Sequence, residues 1–204
     1  YDKFNEILNT SKEDNNFEKF DFNHPVYILY SSGTTGAPKC IVHGAGNALI
    51  EQKKELSIHC DVKENDRVFY FTTTGWMMWN WQIAALSCGA SICLYDGSPF
   101  YPDLNVLIEY CSKNQFTLFG VGAKYIDYLK NKKYNASEFD LSNLKTITST
   151  GSPLVSESFE YVYKNIKKDV HLSSISGGTD MVGCLVIGNI FQSVYAGEIQ
   201  GPSL

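Results

Sequence analysis

Short apolar runs alternate with helical stretches through most of this chain of 204 residues. Arg67-Val68-Phe69-Tyr70-Phe71 reads as a strand, 79–87 as a helix, and Ser91-Ile92-Cys93-Leu94-Tyr95 as a strand. Residues 106–113 follow as a helix, 117–121 as a strand, 123–131 as a helix, 145–149 as a strand, 156–164 as a helix and 170–174 as a strand. β-rich runs of this length separated by helices predict an α/β fold, a mostly parallel sheet with flanking helices. Ligands of such sheets bind outside the carboxyl ends of the strands, and polar or glycine-rich residues gather there. They are Thr74-Gly75-Trp76, Gly120-Val121-Gly122, Gly151-Ser152-Pro153 and Ser176-Gly177-Gly178-Thr179-Asp180.

The first polar loop lies upstream of these. Val26-Tyr27-Ile28-Leu29-Tyr30 reads as a buried strand, and Ser31-Ser32-Gly33-Thr34-Thr35-Gly36-Ala37-Pro38-Lys39 follows it. Glycines let backbone N–H groups converge on an anion without Cβ clashes. Ser31, Ser32, Thr34 and Thr35 add hydroxyl donors, and Lys39 adds a compact positive charge suited to phosphate. The pattern predicts a loop that clasps a polyphosphate. It is not a Walker A loop, which requires Gly, four residues and Gly-Lys-Ser/Thr. Here Pro38 precedes the lysine and Cys40 follows it, and proline keeps Ala37 out of helical geometry. A flexible Ser/Thr/Gly linker is the plain alternative.

The decapeptide from Tyr30 to Lys39 resembles the phosphate-binding signature of the adenylate-forming superfamily. That superfamily includes acyl-CoA synthetases, luciferases and the adenylation domains of nonribosomal peptide synthetases. The resemblance implies activation of a carboxylate by ATP to an acyl-adenylate and pyrophosphate, usually followed by thioester formation with coenzyme A. It also implies that the fold is part of the large domain of an adenylate-forming enzyme.

Ser174-Ile175-Ser176-Gly177-Gly178-Thr179-Asp180 resembles the superfamily's aromatic-Gly-x-Thr-Glu element, with Ser176 in place of the aromatic residue and Asp180 in place of Glu. The carry-over gives Ser174 to Thr179 to ATP, Thr179 to the α-phosphate as a catalytic group beside Lys39, and Asp180 to Mg²⁺. Read from residue types alone, a glycine turn ahead of a helix capped by Asp180 fits equally well. Gly151-Ser152-Pro153 corresponds to an element that lines adenine in related CoA synthetases. It is also an ordinary strand-to-helix turn.

All three tryptophans and two of the three methionines fall in Trp76-Met77-Met78-Trp79-Asn80-Trp81. Core packing accounts for part of such a cluster. The remainder reads as the wall of a small acyl pocket, and by resemblance Trp76, Met77, Met78, Gly122 and Gly177 line the acyl and coenzyme A side of the site. Glycine in Ser176-Gly177-Gly178-Thr179-Asp180, where acetate ligases carry aromatic residues, would leave room for a β-keto acid. Cys40 to Gly46, Phe69 to Trp81 and Leu94 to Pro99 together resemble the acetoacetate–CoA ligases of the superfamily, from about residue 20 onward. The rival readings are ligases for acetate or propionate, an ATP-binding module without catalysis, and a remnant that binds nothing.

A net charge of −5 gives no electrostatic argument for nucleic acid or an anionic membrane. No apolar run reaches the length of a transmembrane helix, and the polar first residues do not form a signal peptide. Cys40, Cys60, Cys88, Cys93, Cys111 and Cys184 lack C-x-x-C spacing and read mostly as buried thiols of a reducing, cytoplasmic environment. His24, His43, His59 and His171 lack metal-ligand spacing and read as structural or surface residues. Residues 1–22 are expected to be a polar leading segment and 23–204 part of an adenylation domain. The upstream part and a small C-terminal domain are expected to lie outside the chain, leaving it little activity alone.

Overall fold

A computed structural model describes residues 2–12, 16–31 and 37–204. In chain order the elements are α1 (Asp2–Thr10), β1 (Pro25–Ser31), β2 (Lys39–Gly44), α2 (Ala45–Lys54), β3 (Arg67–Tyr70), α3 (Met77–Ala84), β4 (Ser91–Cys93), α4 (Val106–Lys113), β5 (Leu118–Gly122) and α5 (Ala123–Asn131). They continue as β6 (Thr146–Thr150), α6 (Ser156–Tyr161), β7 (His171–Ser174), β8 (Ser176–Gly178), β9 (Gly183–Ile187) and β10 (Gly201–Pro202). Wider π-type turns extend α2 over Glu55–His59 and α6 over Val162–Ile166, and a 3₁₀ turn extends α3 over Ala85–Cys88.

Five strands form an all-parallel sheet in the order β4-β3-β5-β6-β7. Both of its faces are covered, which is why β3 and β5 read as nearly continuous apolar runs. Strand alternation divides the core in two. On one face Phe69, Phe119, Val121, Ile147 and Leu172 pack with Leu107 and Ile108 of α4, Ile126 and Leu129 of α5 and Phe159 of α6. On the other, Val68, Tyr70 and Leu118 pack with Leu56, with Met78 and Trp81 of α3, and with Cys184 and Ile187 of β9. Burying side chains of this size stabilises the fold by about 1.5–3 kcal/mol each.

The chain leaves β3 outward to β4, then crosses back to β5 on the other side of β3 and continues to β6 and β7. The strand order therefore reverses between β3 and β5. A crevice opens at such a reversal, because the connections leave the carboxyl ends of the two strands toward opposite faces.

Two smaller antiparallel sheets complete the architecture. β1 and β2 form a two-stranded ribbon, and β8, β9 and β10 form a three-stranded sheet. The expectation that Val26 to Tyr30 is a buried strand is corrected here. Val26, Ile28 and Tyr30 are 46%, 60% and 65% exposed. A ribbon of two strands has a half-buried face, here Tyr27, Leu29 and Ser31, and a face that stays largely exposed. Apolar residues on both faces made that run resemble a strand of the central sheet.

Of the two readings of the segment after β7, the glycine turn ahead of a helix does not form. One residue, Ile175, separates β7 from β8, and no helix follows. Thr179–Val182 forms the turn of the β8–β9 hairpin.

Candidate functional site

Three adjoining cavities run along the carboxyl edge of the parallel sheet and meet at Thr150 and Gly151, which line all of them. The largest, about 560 Å³, lies at the strand reversal, between Phe71 and Thr72 after β3 and Gly122 and Ala123 at the end of β5. Trp76, Met78, Phe100, Tyr125 and Tyr128 give it a largely aromatic wall. The second, about 390 Å³, is bounded by Trp76, Met77 and Met78 on one side and Gly177, Gly178 and Thr179 on the other. The third, about 400 Å³, is bounded by Gly151, Ser152 and Pro153 and by Ser174 to Gly177.

Local geometry explains how these segments come together. Gly151 has φ +86°, and nothing lies within 4 Å of where its Cβ would be. The position needs glycine for its backbone, and the absent side chain keeps the junction of the cavities open. Thr150 Oγ1 donates to the Ile175 carbonyl at 2.9 Å and so ties the end of β6 to the segment entering β8. Gly177 is required for a different reason. A Cβ there would lie 2.6 Å from Cys184 Cα and 2.8 Å from the Gly183 carbonyl carbon, so β8 and β9 approach more closely than any side chain at 177 permits.

The aromatic cluster divides as its residue types suggest. Trp81 is completely buried and Met78 nearly so, Met77 is half-buried, and Trp76 is 66% exposed at the rim. Trp81 is therefore core, whereas Trp76, Met77 and Met78 face the cavities.

Other expected site residues lie elsewhere. Ser32 to Gly36 fall outside the described residues. Ser31 and Lys39 pair across the ribbon, but neither is in the cavity walls. From the ribbon, Leu29 and Tyr30 reach the cavity at Thr179. Asp180 is exposed in the hairpin turn and is also outside the cavity walls. No group of three His, Cys, Asp or Glu side chains among the described residues is placed to enclose a metal ion.

Among the described residues, the walls of the three cavities carry one charged side chain, Lys124, and neither a carboxylate nor a histidine. Such walls suit binding, orientation and exclusion of water more than proton transfer. The residues behind them are polar. Glu55 is completely buried. Its Oε2 accepts from Trp81 Nε1–H at 2.8 Å and its Oε1 from the Cys184 amide at 2.5 Å. Burial raises the Glu55 pKa above the usual carboxyl range, against a lowering by the Cys184 amide. His43, Gln52 and Glu55 were not singled out by sequence reasoning as parts of the site. A signal existed: Ala48, Gln52, Glu55, Leu56 and His59 recur at helical spacing and all face inward.

The six cysteines are free thiols. Cys60, Cys111 and Cys184 are buried as expected and Cys88 and Cys93 partly so, but Cys40 is exposed on the ribbon. No helix among the described residues is long and apolar enough to cross a membrane.

The family model of the AMP-binding enzymes matches residues 2–199. An acetoacetyl-coenzyme A synthetase of Rhizobium meliloti is 56% identical over 92% of the chain, and one of Gallus gallus is 52% identical over 92%. A malonamoyl-CoA synthetase of Penicillium aethiopicum is 42% identical over 87% of the chain. The chain spans 29%, 28% and 27% of these three proteins, respectively. Among solved structures, an acetoacetyl-CoA synthetase from Streptomyces lividans superimposes with a TM-score of 0.91 at 37% identity, over 98% of this chain and 31% of that one. On the match over residues 2–199, the chain belongs to the AMP-binding enzyme family.

Proposed function

We propose that the protein of which this chain is a part activates acetoacetate with ATP and transfers the acyl group to coenzyme A. The observation that carries this reading is the meeting, at Gly151, of a glycine- and hydroxyl-lined cavity with one walled by Trp76, Met77 and Met78. A nucleotide along Gly151 to Pro153 and Ser174 to Gly177 would present its α-phosphate toward Thr179 and its acyl partner toward the two methionines.

In the first step a carboxylate oxygen of acetoacetate attacks the α-phosphorus of ATP. The bond to the bridging oxygen breaks and pyrophosphate leaves. In the second, the coenzyme A thiolate attacks the acyl carbon, the carbon–oxygen bond to phosphate breaks, and AMP leaves. Phosphoryl chemistry of this type depends on positioning and on electrostatic stabilisation, which walls of glycines and hydroxyl side chains can supply. Thr179 Oγ1 donates to an α-phosphate oxygen. Lys39, with Ser31 to Gly36, holds the β- and γ-phosphates. Asp180 is a single exposed carboxylate. Mg²⁺ is commonly held by one or two carboxylates and by substrate phosphates rather than by an all-protein cage, so Asp180 fits a metal that arrives with ATP. The cavity at the strand reversal, with Gly122 in its wall, takes the reactive end of coenzyme A.

Acetoacetate and malonamate are isosteric β-carbonyl acids, differing only in whether the β-carbonyl carries a methyl or an amino group. That the chain resembles synthetases named for both acids supports a pocket for a short β-carbonyl acid. We assign residues 23–204 to part of the adenylation domain and residues 1–22 to a leading segment. The free cysteines support work in the reducing cytoplasm.

The test is carboxylate-dependent exchange between ATP and labelled pyrophosphate by the full-length protein. Acetoacetate, malonamate, acetate, propionate and butyrate would be compared. Exchange fastest with acetoacetate supports the whole reading. Exchange fastest with acetate or propionate keeps the chemistry and removes the substrate. A folded protein without exchange for any acid overturns adenylation.

A further inference from the structure

The turn that carries Thr179 and Asp180 is held from behind by three side chains outside the cavity walls. His43, on β2 and four residues after Lys39, places Nε2 2.8 Å from the Thr179 carbonyl oxygen, to which it donates. Gln52, on α2 and 1% exposed, donates from Nε2 to the Val182 carbonyl at 3.1 Å. Glu55 accepts from the Cys184 amide at the first residues of β9. These contacts fall at the beginning of the turn, at its end and just beyond it.

The turn needs such support. Val182 has φ +55° and is buried, and a β-branched residue in the left-handed region is strained. Conformations of this type persist when surrounding contacts over-determine them. Space between the hairpin and α2 is closed as well, since a Cβ at Gly183 would meet Glu51 Oε1 at 2.6 Å and Glu55 Oε1 at 2.8 Å. Glu55 is itself fixed by Trp81 of α3, the helix that begins with the cavity residues Met77 and Met78.

We propose that His43, Gln52 and Glu55 act as one clamp that sets the Thr179–Asp180 turn in register with the ribbon bearing Lys39 and with the start of α3. They are positioning residues. None touches the cavities, and each acts on the turn through its backbone. The clamp links three parts of the site that different segments supply: the ribbon strand that begins with Lys39, the hairpin turn, and the acyl wall at the start of α3. The inference rests on the assignment of Thr179 to the α-phosphate.

The test is a double-mutant cycle on acetoacetate-dependent ATP–pyrophosphate exchange in the full-length protein. Gln52→Met keeps volume and removes the hydrogen bond to Val182. Glu55→Gln turns one acceptor into a donor that faces an N–H group. Each is measured alone and with Thr179→Ala. The clamp predicts that Gln52→Met lowers the exchange kcat about tenfold or more while the KM for acetoacetate stays put, because a small misplacement of a reacting group costs up to about a hundredfold. With Thr179→Ala already present, Gln52→Met should lower the rate by no more than about twofold, since residues acting through one another are not additive. If Glu55→Gln does not fold, Gln52→Met decides alone, as it introduces no new buried donor. Wild-type exchange in Gln52→Met, or its full effect on top of Thr179→Ala, overturns the clamp and leaves the functional reading standing. Wild-type exchange in Thr179→Ala overturns the clamp together with the assignment of Thr179 to the α-phosphate, and only loss of exchange in the parent protein overturns adenylation.

Discussion

Replacing Gly177 by alanine probes the closest backbone approach in the site. Gly177 pairs with Cys184, and the register slips between Ser176 and Gly177. The added methyl would lie 2.6 Å from Cys184 Cα and 2.8 Å from the Gly183 carbonyl carbon, whereas carbon atoms pack at about 3.5–4.0 Å. β9 would have to retreat by roughly 1 Å, and because the obstructing atoms are backbone, no side chain can swing aside. Overpacking of this degree costs about 1–3 kcal/mol. The same retreat lengthens the 2.5 Å bond from the Cys184 amide to Glu55 beyond hydrogen-bond reach. A buried amide without an acceptor costs about 1–3 kcal/mol more. Because the two losses share one movement they do not sum fully, and about 3 kcal/mol is the expected destabilisation. That is a loss of roughly a hundredfold or more in the folding equilibrium, at about 1.4 kcal/mol per factor of ten. Equilibrium urea unfolding measures it as a lower midpoint at unchanged slope. If Gly177→Ala instead unfolds within about 0.5 kcal/mol of the parent, as an ordinary surface change would, the close approach is wrong. A stable variant with a shifted preference among acids would show that glycine is needed there for acyl room and not for the backbone.

Four further outcomes follow from the same geometry. Thr179→Ala and Lys39→Ala should each reduce the rise in melting temperature that ATP gives the parent protein, because a ligand stabilises only the state it binds; undiminished protection contradicts their assignment. Trp76→Ala should leave the melting temperature nearly unchanged, its side chain being largely exposed, but raise the KM for the acid. Trp81→Phe should cost about 1–3 kcal/mol in urea unfolding, since it leaves buried Glu55 short of a donor. Burial holds His171 below its ordinary value of 6.5, against the hydrogen bond to Gln200, which raises it. The folded state thus resists protonation, so this contribution to stability is present above pH 6.5 and lost as pH falls through 6.5 toward the folded value. A stability-versus-pH curve for His171→Asn should be flatter in that window, and an unchanged curve would refute the role.

Much of the fold was legible because propensity, periodicity and burial agreed. The helices read over 106–113 and 123–131 coincide with α4 and α5. Each strand of the parallel sheet was located to within two residues at its ends, because Val68 to Tyr70, Leu118 to Val121 and Thr146 to Ser149 are buried on both faces. The β8–β9 hairpin was not legible. Ser176, Gly177 and Gly178 have little strand propensity, and they are held extended by pairing with β9, a partner that local sequence does not reveal. β1 misled in the other direction. Its aliphatic and aromatic residues point alternately to the cavity side and to the open face of the ribbon, so hydrophobicity on both sides did not mean burial.

The candidate site was legible where backbone chemistry is special. Gly151 and Gly177 were singled out as glycines and prove to be needed for two separate reasons, a positive φ and a close strand approach. Trp76, Met77 and Met78 were identified from their clustering and face the cavities. Gln52 and Glu55 were passed over because Glu51-Gln52-Lys53-Lys54-Glu55 resembles a solvated helix surface by composition. Which of its residues turn inward is decided by the packing of α2 beneath the hairpin, where Gln52 and Glu55 are buried and Lys53 is exposed.

The most direct test of the account is an experimental structure of the full-length protein with a stable sulfamoyl analogue of acetoacetyl-adenylate. The account predicts the adenine along Gly151 to Pro153, the sulfamoyl group within hydrogen-bond distance of Thr179 Oγ1, and the acetoacetyl group against Met77 and Met78. An analogue bound away from the junction at Thr150 and Gly151, or one bound with its acyl group turned from the methionines, would contradict it.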